Sequence, residues 1–279
     1  MTANQIARVR AAIAGTDAEL EFVAETGSTN ADLLSARAAD LPAAARVRWA
    51  GHQVAGRGRR GRQWQDGGGA SLCFSIAFER ALEADARELG ALSLAFGACL
   101  AQALSEFAPD IGIKWPNDLL RNERKIAGIL VEVARPSRIE RVVVGVGINL
   151  VAPPPSVASP APDAPTPLPV GGLFDDMPGS ALRADVLSAC IVALHGAWHR
   201  FLVGGFAAFL EAWKRYDRLA GQTVMVHDGR SSAWEGRCVG VAANGALRVH
   251  GAGTEVELVS GEVSIRPASG GATEQGTCA

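Results

Sequence analysis

Residues 111–133 read IGIKWPNDLLRNERKIAGILVEV, two apolar runs on either side of a turn-forming segment. Residues 111–115 and 126–133 are short, apolar and bounded by turn residues, which predicts two strands. Pro116 has no amide proton and biases Trp115 toward extended backbone, so Asn117 and Asp118 are expected on a turn at the end of the first strand. Taken alone, that Pro-Asn-Asp is an ordinary Asx turn, although strand ends are also where sites collect. Lys125 heads the second strand beside an almost wholly apolar run, so its ammonium either snorkels to water or meets an anion. Only three of the 27 cationic side chains are lysines, Lys114, Lys125 and Lys214, and two of them flank this one turn. That placement favours the anion.

Working outward, residues 47–50, 72–78 and 141–148 also have strand character, and residues 31–39 and 89–107 have helical character. Leu187, Ile191, Leu194, Trp198 and Phe201 recur at helical spacing, and Phe206, Phe209, Leu210 and Trp213 continue a stripe after Gly204 and Gly205. Such stripes are expected to pack on the sheet as core. Beyond Asp217 the texture changes to short β-type runs at 223–227, 233–241, 247–250, 255–259 and 263–266, the pattern of a small barrel. The expected organisation is a first domain over 1–218, a small barrel over 219–268 and a flexible tail over 269–279. Residues 151–170 hold eight of the fourteen prolines and are expected to be a surface excursion.

Composition narrows the function classes. With 48% hydrophobic and 20% charged residues and a net charge of −2, a chain disordered throughout is excluded, and lysine-rich nucleic-acid or membrane patches are absent. The longest apolar stretch, around 91–104, is broken by Ser93 and Gln102 and falls short of the ~20 residues of a spanning helix, so no membrane span is expected. Asn4, Gln5, Arg8 and Arg10 interrupt what would be a signal peptide's apolar centre. The five cysteines are odd in number, scattered and never in a C-x-x-C spacing, which argues against a disulfide scaffold or a zinc site. A reducing cytoplasm is the expected location.

Three further motifs carry chemistry. Gly56-Arg57-Gly58-Arg59-Arg60-Gly61-Arg62, ahead of Trp64, sets four guanidinium groups among three glycines. Glycines let backbone amides approach an anion, and guanidinium forks match phosphate or carboxylate oxygens. A solvated turn or an RGG-like nucleic-acid contact remain open for this loop taken alone. Gly145-Val146-Gly147-Ile148-Asn149 lacks the third glycine and following helix of a dinucleotide fingerprint, so close backbone approach to a neighbouring strand or ligand is the better account. Gly27-Ser28-Thr29-Asn30 precedes a helical stretch, where a helix cap is the default and a ligand contact the alternative.

Taken in chain order, Ser28-Thr29-Asn30, the loop over residues 56–62, Lys114-Trp115-Pro116-Asn117-Asp118, Lys125-Ile126-Ala127-Gly128-Ile129-Leu130-Val131-Glu132 and Gly145-Val146-Gly147-Ile148-Asn149 resemble biotin protein ligases. The resemblance runs from about Phe22 to Asn149 and resumes at Trp213, Gly221 and residues 260–264. It implies an α+β fold: a mixed β-sheet with flanking helices, related to class II aminoacyl-tRNA synthetase cores, followed by an SH3-like barrel. It also implies an enzyme that joins biotin to ATP as biotinyl-5'-AMP with Mg²⁺ and passes the biotinyl group to a lysine of a biotin carboxyl carrier domain. By the same resemblance Ser28, Thr29, Asn30, Gln53, Arg57, Gly58, Arg59, Lys125 and Gly128 would hold the substrate. Arg57, Arg59, Arg62, Trp64, Asn117 and Asn149 would contact ATP, with Trp64 stacked on adenine. Lys125 and Arg59 would act on the reacting groups, and Asp118 would accept the proton of the incoming lysine. Ligands for Mg²⁺ are unassigned, and the oligomeric state is open, a homodimer included.

The Arg loop, with three glycines and four like charges, is expected not to pack on itself and to order around a ligand. Only roughly 25 residues precede the Ser-Thr-Asn motif, too few for a DNA-binding winged helix, so no operator DNA is expected as a partner. A lipoate-type acyl-adenylating ligase is the nearer rival. An RNA-binding module is the remoter one, because it would call for a basic chain with several aromatic platforms rather than a charge of −2 and 6% aromatics.

Overall fold

Two long neighbouring strands, β3 (Ser71–Ala81) and β7 (Ile139–Asn149), pair antiparallel along their whole length, Ser71 opposite Asn149 and Ala81 opposite Ile139. Around them the sequence builds α1 (Ala3–Ala12), β1 (Glu19–Thr26), α2 (Thr29–Ser35), β2 (Arg46–Gln53), α3 (Leu92–Ser105), β4 (Ile111–Lys114), β5 (Asp118–Arg121) and β6 (Arg124–Ala134). Beyond β7 lie α4 (Ser180–Gly204) and α5 (Leu210–Tyr216). The computed structural model describes residues 2–36, 45–81, 89–136, 139–154, 168–227, 233–251, 253–259 and 264–267.

The seven strands are ordered β1-β2-β3-β7-β6-β5-β4. β1 and β2 are parallel, joined through α2, and every other neighbouring pair is antiparallel, so the sheet is mixed. The strands alternate faces with period two. Leu72, Phe74, Ile76 and Phe78 of β3 and Val142, Val144, Val146 and Ile148 of β7 belong to the main core. Ala77 and Val143 instead meet Leu33 of α2 on the opposite face.

The main core is closed by α3, which is apolar on nearly all sides because it is sandwiched between the sheet and α4. At Gly97 α3 faces Ile113, Ile129 and Trp213. The stripe Leu187, Ile191, Leu194, Trp198 and Phe201 is buried, as its spacing predicts, but its main neighbour is α3 rather than the sheet. Trp198 reaches β3 by stacking on Phe78, with ring centroids 4.8 Å apart. At 25 residues α4 is long and apolar enough to cross a membrane by length and composition, yet half of its apolar window is buried inside this core.

On the other face α2 is held by a buried cation. Arg141 is 1% exposed, donates from Nε to Glu79 Oε1 (2.8 Å), and directs Nη1 at the carbonyls of Leu33, Leu34 and Ala36, which end α2. A guanidinium there satisfies carbonyls that no further helical turn can reach. Behind it, Glu140 takes Arg80 and Arg135; burial pushes its carboxyl up, but the two guanidinium groups outweigh burial and hold it below the usual range.

The C-terminal strands β8 (Thr223–His227), β9 (Trp234–Val241), β10 (Leu247–Gly251), β11 (Thr254–Leu258) and β12 (Ser264–Pro267) follow the sequence expectation closely. They form an antiparallel sheet ordered β11-β10-β9-β8-β12. It joins the rest of the molecule where Trp115 Nε1 donates to Gly245 O at 3.0 Å.

Three elements escaped the sequence reading. α1 carries a Thr2/Gln5 capping box, β1 lies at the sheet edge, and β5 turns the expected loop at Asp118 into the second strand of a hairpin. β5 follows the Asn117 turn directly and has no turn residue of its own in front of it, so it reads as a continuation of the loop. The expected helix over 31–39 begins earlier, at Thr29, and residues 37–39 lie outside the described residues, as do 155–167 of the Pro-rich stretch, 260–263 and the tail from 268.

Candidate functional site

The face of the sheet that carries α2 opens, beside that helix, into a cavity of about 230 Å³. Ser28, Thr29, Asn30, Gln53, Arg57, Gly58, Arg59, Arg62, Trp64, Asn117, Asp118, Lys125 and Gly128 all line it. Segments from five parts of the chain therefore converge. Asn149 does not line this cavity: it is buried, and its Oδ1 accepts from Ser71 Oγ at 3.3 Å.

The cavity wall at α2 is a continuous polar network. Ser28 occupies the N-cap position but its hydroxyl caps nothing, which departs from the default expectation. Thr29 donates from its amide to Gln53 Oε1 (2.8 Å) and shares a 2.6 Å hydrogen bond with Ser75 Oγ. Ser75 donates to Asn30 Oδ1 at 2.5 Å, and Asn30 Nδ2 donates to Glu132 Oε2 at 2.8 Å. Glu132 in turn pairs with Arg57 at 3.0 Å. Gln53 is fixed from behind, its backbone N–H donating to the buried Asp66 Oδ2 at 2.8 Å. The side chains of Thr29, Asn30, Ser75 and Gln53 are thus tied to one another and to Glu132 before any ligand arrives. Ser75 was missed from sequence, and its signal was a hydroxyl inside the otherwise apolar run of β3.

The floor is made by glycines. A Cβ at Gly145 would collide with the Asn30 amide, and one at Gly147 with the Trp64 indole; at Gly128 it would touch Trp64 at 3.4 Å. The Gly-x-Gly of β7 thus makes way for two side chains. Trp64 Nε1 is buried without a hydrogen-bond acceptor at normal geometry. Nearby, burial pushes the Cys73 thiol up to about 12, so it stays protonated.

The remaining wall is cationic. Lys125, on β6, forms a 2.6 Å ion pair with Asp118 across the β5–β6 pairing and is 29% exposed. Asn117 is anchored by donating to Ile129 O (2.9 Å) and accepts from Arg59 Nη1 (3.0 Å). Burial, then the neighbouring Arg60 charge, lowers the Arg59 guanidinium from its ordinary value, partly offset by Asp118. It remains a cation that gains from an anion beside it.

The Arg loop packs on itself, contrary to expectation. Gly58 N donates to Arg62 O at 2.7 Å, Trp64 N donates to Gly56 O at 2.9 Å, and Arg57 bridges to Gln63. The reversal uses positive φ at Arg60 (57°) and Gly61 (70°). Glu132, 3.0 Å from Arg57, offsets part of the like charge that this closure gathers. Arg59 also borders a second groove of about 490 Å³ that runs toward Ser93, Val133, Asn244 and Val259.

The fold has known counterparts. A biotin protein ligase from Aquifex aeolicus, solved with biotin and ATP, superposes with a TM-score of 0.70 at 24% identity, covering 90% of this chain and 99% of that one, which defines the fold. The family profile described as Biotin/lipoate A/B protein ligase family matches residues 24–149. A biotin–acetyl-CoA-carboxylase ligase of Paracoccus denitrificans is 34% identical over 245 residues, 84% of this chain and 96% of that protein. The protein of the same description from Mycobacterium tuberculosis is 41% identical over 143 residues, and the chain spans 52% of its length. The chain belongs to the biotin/lipoate A/B protein ligase family.

Proposed function

We infer that this protein is an ATP-dependent ligase that activates biotin as biotinyl-5'-AMP and transfers the biotinyl group to a lysine of a biotin carboxyl carrier domain. The observation that carries the reading is the convergence of Arg59, Lys125, Asn117 and Asp118 on one cavity whose opposite wall is the Thr29–Ser75–Asn30 network. An acid with a polar head and an apolar chain fits such a pocket: the network supplies donors and acceptors, and the cationic wall awaits negative charge.

In this reading the carboxylate attacks the α-phosphorus of ATP, the bond to the bridging oxygen breaks, and pyrophosphate leaves. Charge accumulates on the α-phosphate oxygens, and a fixed ammonium and guanidinium there are worth a few kcal/mol each, about 2.7–4 for one well-placed donor. Lys125 and Arg59 fill those roles. An incoming phosphate competes with Asp118 for Lys125. When Lys125 turns to the phosphate, Asp118 is released to accept the proton of the acceptor lysine, whose nitrogen attacks the acyl carbon as AMP leaves. Arg57, Arg62 and Trp64 cover the mixed anhydride from water. The second groove, which reaches the cavity at Arg59, offers the acceptor its approach.

Asp118 is the one acidic side chain among the described residues that line the cavity, and it is already paired. Mg²⁺ therefore fits as a companion of ATP held chiefly by phosphate oxygens, where it neutralises charge. A cytoplasmic location fits the unpaired state of Cys73, Cys99, Cys190 and Cys238.

The test is to mix the protein with biotin, ATP, Mg²⁺ and a carrier domain and to weigh the carrier by mass spectrometry. A single added biotinyl group is expected. Lipoate in a parallel reaction separates the rival: modification by lipoate and not by biotin overturns the assignment.

A further inference from the structure

A second cluster of ligand-type side chains lies away from the cavity, where α4 meets the connection between α1 and β1. His195 and His199 stand one helical turn apart on α4, the i,i+4 spacing that places two side chains on one helix face. Their rings are 4.7 Å apart, centroid to centroid, at 63°. Asp17 faces them from the connection, its Oδ1 2.5 Å from His195 Nε2. One ligand atom from each of the three lies within 4.8 Å of the others.

Both partners of this cluster are held in place by their surroundings. Leu194 and Trp198, on the same helix, are buried, and Trp198 is stacked on Phe78, so α4 cannot rotate its histidines away. Thr16 fixes the connection: its Oγ1 donates to Ile13 O at 2.7 Å and accepts from Ala18 N at 3.2 Å. Asp17 is thereby aimed at α4 from a short, pinned loop. His195 is 16% exposed and Asp17 57%, so a cation has access from solvent.

Ligand atoms about 2.0–2.2 Å from a tetrahedral metal lie roughly 3.3–3.5 Å apart. The present separations run from 2.5 Å up to within 4.8 Å and bracket that value, so side-chain rotation alone closes the site. Two imidazole nitrogens and one carboxylate oxygen suit a borderline transition cation such as Zn²⁺, Co²⁺ or Ni²⁺, whereas Mg²⁺ and Ca²⁺ ask for more oxygen donors.

We propose that Asp17, His195 and His199 form a binding site for a divalent transition-metal cation that clasps the α1–β1 connection to α4, with water in the fourth position. None of the three lines the candidate cavity, so the site is one of stability and not of ligation chemistry, and it stands or falls independently of the proposed reaction.

Calorimetric titration of the full-length protein, freed of metal with EDTA, with Zn²⁺ alone is expected to show one equivalent bound, together with a rise in Tm. Co²⁺ in its place is expected to give visible absorption bands of a tetrahedral ion, and Mg²⁺ neither effect. His199→Ala leaves the Asp17–His195 pair intact and is expected to keep the metal-free Tm while weakening Zn²⁺ by at least ~10-fold. Equal Zn²⁺ affinity in the parent and His199→Ala overturns the proposal, as does the absence of saturable binding below ~100 μM.

Discussion

The two faces of the seven-stranded sheet are made by alternate residues of the same strands and obey different rules. Toward α3 and α4, Leu72, Phe74, Ile76 and Phe78 interlock with helices in a continuous apolar core. Toward α2 and the cavity, β3 offers Cys73 and Ser75, while β6 and β7 offer Gly128, Gly145 and Gly147. One face spends its side chains on burial, and the other removes them to make room. The lesson is that period-two alternation lets one strand serve stability and recognition separately. It follows that damage on one face should leave the other readable.

The largest effect is expected on the core face. Phe96→Ala, at a fully buried site of α3, should cost about 3–5 kcal/mol of stability. The kcat/KM of the folded protein for biotin should stay within about 2-fold, because Phe96 lines neither the cavity nor the second groove and distant sites act independently. Urea unfolding beside a pyrophosphate-release assay checks both, and a collapse of activity at full folding would mean that the faces are not separable. Lys125→Ala should do the reverse, lowering adenylate formation by ~10²-fold or more with the urea midpoint little changed. Parental rates of pyrophosphate release in that variant would remove Lys125 from the reaction.

Gly147→Ala places a methyl group where the Trp64 indole lies. Activity should drop by roughly 10- to 100-fold through displacement of Trp64, since misplacements of about 1 Å are that costly. A near-parental circular dichroism spectrum is expected, and an unaffected rate would show that Trp64 does not shape the cavity. Glu132→Gln removes the charge that holds Arg57. We expect KM for biotin or ATP to rise roughly 2- to 5-fold, the scale of a half-exposed ion pair, with kcat largely kept. Cleavage within residues 56–62 in limited proteolysis should become faster, and biotin plus ATP should slow it in the parent.

The smallest effect concerns acid. Glu140 is held by Arg80 and Arg135 below its ordinary value of 4.5, so its contribution is present above that pH and lost as pH falls through the lower folded-state value. The stability gap between the parent and Glu140→Gln should therefore narrow once pH drops below about 4.5, followed by urea midpoints at pH 6 and pH 4. A gap independent of pH would show that packing, and not charge, makes Glu140 matter.

Strands bounded by turn residues were legible in sequence, including all five runs beyond Asp217, because a short β-type run between turn residues is a local signal. Many of the residues that line the cavity stood out as well, Lys125 because lysine is scarce here and the Arg loop because it sets four guanidinium groups among three glycines. Elements such as β5, which is four residues long, and the role of Ser75 were not, because neither has a local signature.

What the sequence determined alone was therefore an inventory: which runs pair as strands, which helix stripes are buried, and which motifs gather cationic side chains. Tertiary structure decided the partnerships. Ser75 meets Thr29 from 46 residues away, and His195 meets Asp17 from 178. Periodicity in a chain reports which face a residue takes, but only the packed fold specifies what that face confronts. For that reason Gly147 acquires its purpose from Trp64, and two helical histidines acquire theirs from an aspartate at the opposite end of the sequence.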